Sequence, residues 1–366
     1  MKNLIMTVCG ISVLLNYAEG DERKLVLRYA NCKDSFPIPE IDRNMLHSLI
    51  SRSKSEFEEA DNDSAVKKSA EINALVKFYK QQFVASADCH LLLCTDTWLG
   101  EEAAKIVADW LRIKKQNVVE IKRQRDLQTA NIAAFNVALS DLVRWCDETL
   151  VNYRQSGYHV VFNLTAGFKS IQGFLQTLAT FYADETIYIF ETAEDLLHIP
   201  RLPVEMKAQE SIKRHLTIFR RMSMGLPVEG SAGIPETMLL ECDGQTTLSS
   251  WGELVWVQSK KTIYAEELWP TPSTRLAFST DFEKSLKGLS PDRLVMINEK
   301  IDQLVRCLEQ GGQYNVSSLD FKVLQGTPCL PSTHELDAWA DQDAKRIFGH
   351  YDKDVFFLDR LDKALH

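Results

Sequence analysis

The sequence predicts an α/β protein of two domains and a connector, and three observations carry that expectation. Over residues 1–204, short apolar strand patterns alternate with helical ones, the mark of a mostly parallel sheet with crossover helices. Over 205–271 the pattern weakens into a basic amphipathic stretch and a Pro/Gly-rich hinge. Over 272–366 two helical patterns precede a run of short strands, the order of a small α+β domain with helices against an antiparallel sheet.

Composition narrows the function classes. The net charge of −9 argues against indiscriminate nucleic-acid binding while leaving room for a local basic site. The eight cysteines form no Cys-x-x-Cys pair, which reads as buried thiols in a reducing cytoplasm with no metal site. The opening Met1–Ala18 stretch has a basic start and an apolar run, like a weak signal peptide. Thr7, Gly10 and Ser12 interrupt that run, so it reads as a first strand and its turn. No segment offers the roughly 20 apolar residues that span a membrane, so a cytoplasmic protein is expected.

In the first domain the strands fall at 4–9, 90–95, 117–121, 158–164 and 186–190. The helices fall at 42–59, 64–83, 101–114, 129–154 and 168–183, and Asp61-Asn62-Asp63-Ser64 supplies a break and an N-cap. The fourth strand is the most informative. Its apolar run stops at Asn163-Leu164-Thr165-Ala166-Gly167, and a helix follows with Phe168, Ile171, Leu175, Leu178 and Tyr182 at spacings of three and four. A Gly-containing turn at a helix N-terminus directs free N–H groups and the positive dipole end at one spot, a seat for an anion. Lys169 stands in the first turn, where a cation is unfavourable for the helix. Either it extends to solvent or it meets an anion.

Ligands of such sheets sit beyond the carboxyl ends of the strands, at the point where strand order reverses. Three of those ends carry polar, flexible residues: Gly10 and Ser12, then Thr97, Trp98 and Gly100, then Asn163 to Lys169. Together they would suit a phosphodiester bearing adenine rings, with N–H groups and Lys169 for phosphate and Trp98 for stacking. The bland readings stay open: Trp98 as a cap on the core edge, Ser12 as a helix N-cap, Asn163 as a brace of its turn.

Asn163-Leu164-Thr165-Ala166-Gly167-Phe168-Lys169 resembles the Asn-x-Thr-Gly-Gly-x-Lys signature of CARF domains, the cyclic oligoadenylate sensors of type III CRISPR systems. Ala166 replaces a Gly, a mild change if φ is negative there. Gly10 through Asn16 resembles the Gly-Thr-Ser-Leu-Leu-x-Asn opening of one CARF family, with Ile11 for Thr. Ser69 through Leu75 resembles its Pro-Ala-Glu-Ile-Asn-Ser-Leu, and Ile189 through Pro203 its close. The resemblance implies a Rossmann-like domain and a homodimer whose two-fold axis crosses cyclic tetra-adenylate, less often cyclic hexa-adenylate. Gly10, Ser12, Thr97, Trp98, Gly100, Asn163, Thr165, Gly167, Phe168 and Lys169 would line the ligand. Some members cleave their activator slowly, which would assign Ser12 and Lys169 to ring cleavage.

In the connector, residues 206–224 read as one basic helix, solvated rather than bound to nucleic acid. Residues 236–268 read as two short helical pieces around Leu248 to Gly252.

The last domain opens with a helix over 281–289. Ser290-Pro291-Asp292 then starts a second, with Leu294, Ile297, Ile301, Leu304 and Leu308 in helical spacing and Gly311-Gly312 as its stop. Strand patterns follow at 321–324, 334–339, 345–351 and 355–361. Phe278 through Leu289, Lys322 through Gly326, His334-Glu335-Leu336, Arg346-Ile347-Phe348 and Leu361 through His366 resemble the ordered motifs of RelE/HigB mRNA interferases. Asp337 departs from that pattern, standing near where the family often has Arg. The resemblance implies a metal-independent endoribonuclease that needs no cofactor beyond an activator. Cleavage by the substrate's own 2′-OH needs a proton acceptor, a donor to the leaving group and cations around the phosphate. Arg346 and Lys363 are the candidate cations, and His334, His350 and His366 the acid/base candidates. Glu335 is either a base or the partner that holds Arg346, and the bland alternative for Arg346 is a salt bridge to Asp343 or Asp352. Residues 272–366 carry 12 Lys+Arg against 15 Asp+Glu. Ribosome-dependent relatives are basic, because rRNA contacts are dominated by phosphate; free RNA is therefore the expected substrate, with ribosome-bound mRNA the alternative.

The expectation is a cyclic-oligoadenylate-activated endoribonuclease of type III CRISPR antiviral defence. Two alternatives remain: a ligand-gated regulator with an inactive RelE-like docking module, and a ring nuclease with a structural tail.

Overall fold

A computed structural model of the chain places β1 (Lys2–Val8), β2 (Ser86–Cys94), β3 (Gln116–Arg123), β4 (Tyr158–Asn163), β5 (Glu185–Tyr188) and β6 (Leu197–Pro200) in one sheet of order β3-β2-β1-β4-β5-β6. The structure describes all residues except 1, 81–85, 129–130, 168, 190–194, 205, 243, 326–329 and 364–366, and only the backbone of 86, 87, 117, 169 and 170. All neighbours run parallel except β6, which is antiparallel to β5. The chain divides into two units, Met1–Glu205 and Met206–His366.

In the first unit the central strands β1, β2 and β4 are buried on both faces, as their apolar runs require. Ile5, Leu92, Val161 and Ile187 pack into a core with helices α1 (Ser12–Tyr17), α2 (Asp21–Tyr29), α3 (Glu40–Glu59), α5 (Ala70–Phe78) and α6 (Trp98–Ile113). Residues of the opposite parity, such as Leu4, Met6, Leu93 and Phe162, are equally buried. Two further helices, α7 (Ile132–Gln155) and α8 (Lys169–Tyr182), flank β4 in sequence.

Several local expectations change. The helix expected over 64–83 is two, α4 (Asn62–Lys68) and α5, because Ser69 is extended (φ −136°, ψ 122°) and its Oγ caps the Ile72 N–H. The short helices α1 and α2 carry too few turns to show a period, and β6 adds an antiparallel edge. Among the described residues no helix is long and apolar enough to cross a membrane.

The second unit contains α9 (Gln209–Arg214), α10 (Leu216–Ser223), β7 (Leu239–Cys242), β8 (Gln245–Leu248), α11 (Ser250–Tyr264), β9 (Leu276–Phe278), α12 (Thr280–Ser285), α13 (Pro291–Gln310), β10 (Lys322–Val323), β11 (His334–Trp339), β12 (Lys345–Asp352) and β13 (Val355–Lys363). The expected single basic helix is broken at His215. The expected first helical piece is instead the hairpin β7–β8, closed where Gly244 takes φ +75°, the hand that two-residue hairpin turns require. The last sheet has order β10-β11-β12-β13-β9 and is mixed rather than antiparallel, because β9 pairs in parallel with β13. Three residues are too few for β9 to show an alternation in sequence.

Helix α13 organises this unit. Ile297, Ile301, Leu304 and Val305 bury against the sheet. Other positions hold the stretch expected to be a connector: Asn298 Nδ2 donates to the Tyr264 and Glu267 carbonyls at 3.1 and 2.9 Å, and Glu309 takes Arg221 in a fork at 2.9 and 3.0 Å. Arg220, expected on a solvated face, is 1% exposed. Its Nε donates to Asp302 Oδ1 at 2.7 Å, Tyr264 Oη donates to the other carboxylate oxygen, and among the described residues Arg220 Nη2 has no hydrogen-bond partner.

Removing one member of such a pair leaves the other charge buried. Arg220→Met should therefore destabilise the protein by about 3–5 kcal/mol in denaturant titrations. Arg220→Met with Asp302→Leu should recover most of that loss. A single variant with unchanged stability would refute this reading of the pair.

Candidate functional site

Strand order reverses beside β1, whose successor β2 lies on one side while β4 lies on the other. The turns after β1 and β4 therefore emerge together. A Cβ built on Gly10 would stand 3.3 Å from the Gly167 backbone nitrogen. Gly167 takes φ +104°, and a Cβ there would stand 2.4 Å from Val8 Cγ1, so both the backbone hand and the space demand glycine. Ala166 does not take a positive φ, so its side chain costs nothing in backbone conformation.

Glu71, in the first turn of α5 and 1% exposed, ties these turns together. Its Oε1 accepts the Gly10 N–H at 2.8 Å; its Oε2 accepts the hydroxyls of Ser12 at 2.8 Å and Ser69 at 2.7 Å. The nearby Cys9 thiol is pushed well up from its ordinary pKa, chiefly by burial and then by Glu71. Ser12 is no N-cap: Ile11 holds that position, and Ser12 is the first helical residue of α1. Asn163 does brace its turn. Fully buried, it donates to the Glu71 carbonyl at 3.2 Å and accepts the Thr165 N–H at 3.2 Å. Thr165 in turn accepts the Ile189 N–H through Oγ1 at 3.2 Å.

Thr97, Trp98 and Gly100 belong to a different cluster. Thr97, fully buried, caps α6 through the Gly100 N–H at 3.2 Å, and a Cβ on Gly100 would strike Thr95 Oγ1 at 2.3 Å. The Trp98 ring packs on α3, 4.9 Å from His47 and 5.3 Å below the Arg43 guanidinium. None of the described hydrogen bonds joins this cluster to Gly10, Ser12 or Gly167. The half-buried group at the strand-order reversal is thus Gly10, Ser12, Thr165 and Gly167, followed by the N-terminus of α8. Phe168 and the Lys169 side chain lie outside the described residues.

In the second unit Arg346 is surrounded by carboxylates. Nη1 donates to Glu335, which is 4% exposed, and Nη2 lies 3.1 Å from Asp320 and 3.0 Å from Asp337. Lys322 bonds Asp320 at 2.5 Å, and Asp320 is held below the usual carboxylate range, first by Lys322. Glu335 therefore holds Arg346, and the partners are neither Asp343 nor Asp352. Lys363, exposed, sits opposite Lys345 at the end of β13. His334 points the other way: its ring stacks on Phe321 at 5.4 Å and meets Phe356 of the core edge-on, and burial lowers its pKa. His350 instead pairs with Asp359, Nδ1 lying 2.9 and 3.0 Å from its two oxygens. His366 lies outside the described residues. Among those residues, no three His, Cys, Asp or Glu side chains are grouped to hold a metal ion.

Residues 66–202 match the model of a family described as CRISPR-associated protein (Cas_APE2256). The matched span includes Glu71, Asn163 and Gly167, and leaves out Gly10, Ser12 and the second unit. A comparison with curated proteins gives no match.

Sequence reasoning did not single out Glu71, although it lies inside the Ser69–Leu75 motif. Its signal was a carboxylate in an apolar helical run. Glu71→Ala strands the Gly10 N–H and should cost about 1–3 kcal/mol in urea unfolding. It should also speed amide exchange at Gly10. Slow exchange at Gly10 in that variant would show that the contact does not hold the turn.

Proposed function

We propose that this chain is a CRISPR accessory endoribonuclease, with an anion-sensing first unit and an RNA-cleaving second unit. The observation that carries the reading is the meeting of the Gly10 and Gly167 turns at the strand-order reversal, in front of the α8 N-terminus. Backbone N–H groups and the positive end of a helix favour a phosphate there, and the CRISPR-associated family match over 66–202 fits a signalling role.

The ligand proposed is cyclic tetra-adenylate, with cyclic hexa-adenylate the second choice, bound across the axis of a homodimer. Lys169 supplies charge to its phosphates. Ser12, whose hydroxyl is held by Glu71, stands where slow cleavage of the ring would start. Trp98 is left out of the stacking role, because its ring already packs on α3. The RNA-cleaving unit acts without metal, through attack of the substrate's 2′-OH. Activation requires that the ligand bind the cleaving arrangement more tightly than the resting one.

One observation favours a second reading, a ligand-gated regulator whose RelE-like module only docks. Arg346 is engaged by Glu335, Asp320 and Asp337, and so is not open to a phosphate.

The test incubates labelled single-stranded RNA with the full chain, with and without cyclic tetra-adenylate, in the absence of ribosomes. The nuclease reading expects cleavage to rise on the order of tenfold or more with the ring, a differential affinity of about 1.4 kcal/mol. RNA left intact with either ring, and with translating ribosomes added, would favour the regulator.

A further inference from the structure

We infer that His350, oriented by Asp359, is the proton acceptor of the second unit, on a sheet face that takes an RNA phosphodiester. The inference rests on the RNA-cleaving reading above and assigns the residue that reading leaves open.

Alternation along β12 puts Arg346, Phe348 and His350 on one face of the sheet. His334, packed among core aromatics, lies on the other. Arg346 and His350 are four residues apart, roughly 13 Å along the strand, so they do not share one phosphate through their backbones' positions. Arg346 is moreover occupied by its carboxylates. His350 is the described candidate on that face with a ring nitrogen left to act.

Its setting is built. Asp359 is 7% exposed and reaches His350 Nδ1 with both oxygens, at 2.9 and 3.0 Å. A carboxylate only accepts, so Nδ1 carries the ring proton and Nε2 of the neutral imidazole carries the lone pair. Asp359 is itself held: Ser332, 1% exposed, donates its hydroxyl to Oδ2 at 2.7 Å. The side chain of His350 is 27% exposed, against 8% for Asp359, so the imidazole stands between the buried carboxylate and solvent.

The aim of Asp359 comes from a β-bulge. Phe348 pairs with Arg360 and Gly349 with Leu358, which leaves Asp359 as the extra residue of β13. Two contacts lock the bulge. Ser279 Oγ donates to the Asp359 carbonyl at 3.0 Å, and a Cβ on Gly349 would stand 2.3 Å from the Phe357 carbonyl oxygen. Phe357 lies nearly parallel to the imidazole, 5.7 Å away at 19°, and fixes the ring plane. On this face the Arg360 guanidinium lies 5.4 Å over the Phe348 ring and 4.0 Å from Asp362.

The step follows. The RNA 2′-OH gives its proton to His350 Nε2 while O2′ bonds to the adjacent phosphorus. The P–O5′ bond breaks, leaving a 2′,3′-cyclic phosphate. The departing O5′ takes a proton from water, and the imidazolium returns its proton to solvent. Asp359 is a positioning residue: it fixes the tautomer and takes no proton. A positioned acceptor of this kind contributes about 10²–10⁴-fold.

The experiment uses the full chain with cyclic tetra-adenylate and labelled RNA, each variant being checked first for wild-type melting. His350→Ala should lower kcat by about 10²–10⁴-fold with KM within a few-fold, and added imidazole should restore part of the rate. Asp359→Asn should lower kcat by roughly tenfold or more, through the wrong tautomer. Nitrogen-15 NMR should find His350 protonated at Nδ1 in the wild type and mixed in Asp359→Asn, whatever the activity. If the wild type cleaves RNA and His350→Ala cleaves it as fast, the assignment falls and the nuclease reading survives. If His350 is protonated at Nε2 instead, the assignment falls by its geometry. Wild type that cleaves no RNA removes both.

Discussion

The carboxyl edge of the first sheet depends on one buried carboxyl group. Glu71 gathers a backbone N–H and a hydroxyl from the Gly10–Ser12 turn and a second hydroxyl from Ser69. A buried polar group is tolerable only when it is hydrogen-bonded, so the position of α5 and the path of the Gly10 turn are set jointly. The close approach of Gly10 and Gly167 follows, and the α8 N-terminus comes next in the chain. The same arrangement has an electrostatic consequence. The Gly10 N–H that would greet an anion is already engaged by an internal carboxyl oxygen. The Thr165 N–H is likewise engaged, by Asn163 Oδ1 at 3.2 Å.

The second unit shows the same economy of buried charge in two forms. Arg220 and Asp302 are deep, and among the described residues Arg220 Nη2 finds no hydrogen-bond partner. Burying such a pair costs desolvation that its mutual attraction roughly offsets, whereas removing one partner leaves an uncompensated charge. Here the pair joins α10 to α13, so residues 206–271 pack as part of the unit rather than hang from it. Arg346, nearer the surface, sits among more carboxylates than it can neutralise. The His350–Asp359 pair differs from both. One partner is buried and held from behind by Ser332, while the other is partly open to solvent.

Long periodic segments were legible in the sequence, and so were the turns with special backbone needs. The apolar runs of β1, β2 and β4, and the spacing of α3, α6, α7 and α13, are local patterns that packing only reinforces. Gly167 in its turn, and Ser290-Pro291 at the start of α13, are local chemistry. What escaped was short or non-local. The three-residue β9 has no period of its own, and its parallel pairing with β13 comes from 80 positions away in the chain (Leu276 against Phe356). Ser69 reads as an ordinary helical residue until its cap and its bond to Glu71 are seen.

The candidate sites divide along the same line. The sequence by itself determined a mostly parallel α/β first domain, an α+β last domain and the polar turns at the strand ends, because strand and helix periods and glycine chemistry are properties of neighbours in the chain. Only the tertiary structure decided which of those polar residues work together. It joined Ser12 to Glu71 across 59 positions, set Trp98 against α3, gave Arg346 to Glu335 and Asp320, and turned Asp359 toward His350. Hydrogen bonds and ion pairs reach only about 3 Å. Which groups come that close depends on strand order, register and a bulge, and no stretch of sequence displays those by itself.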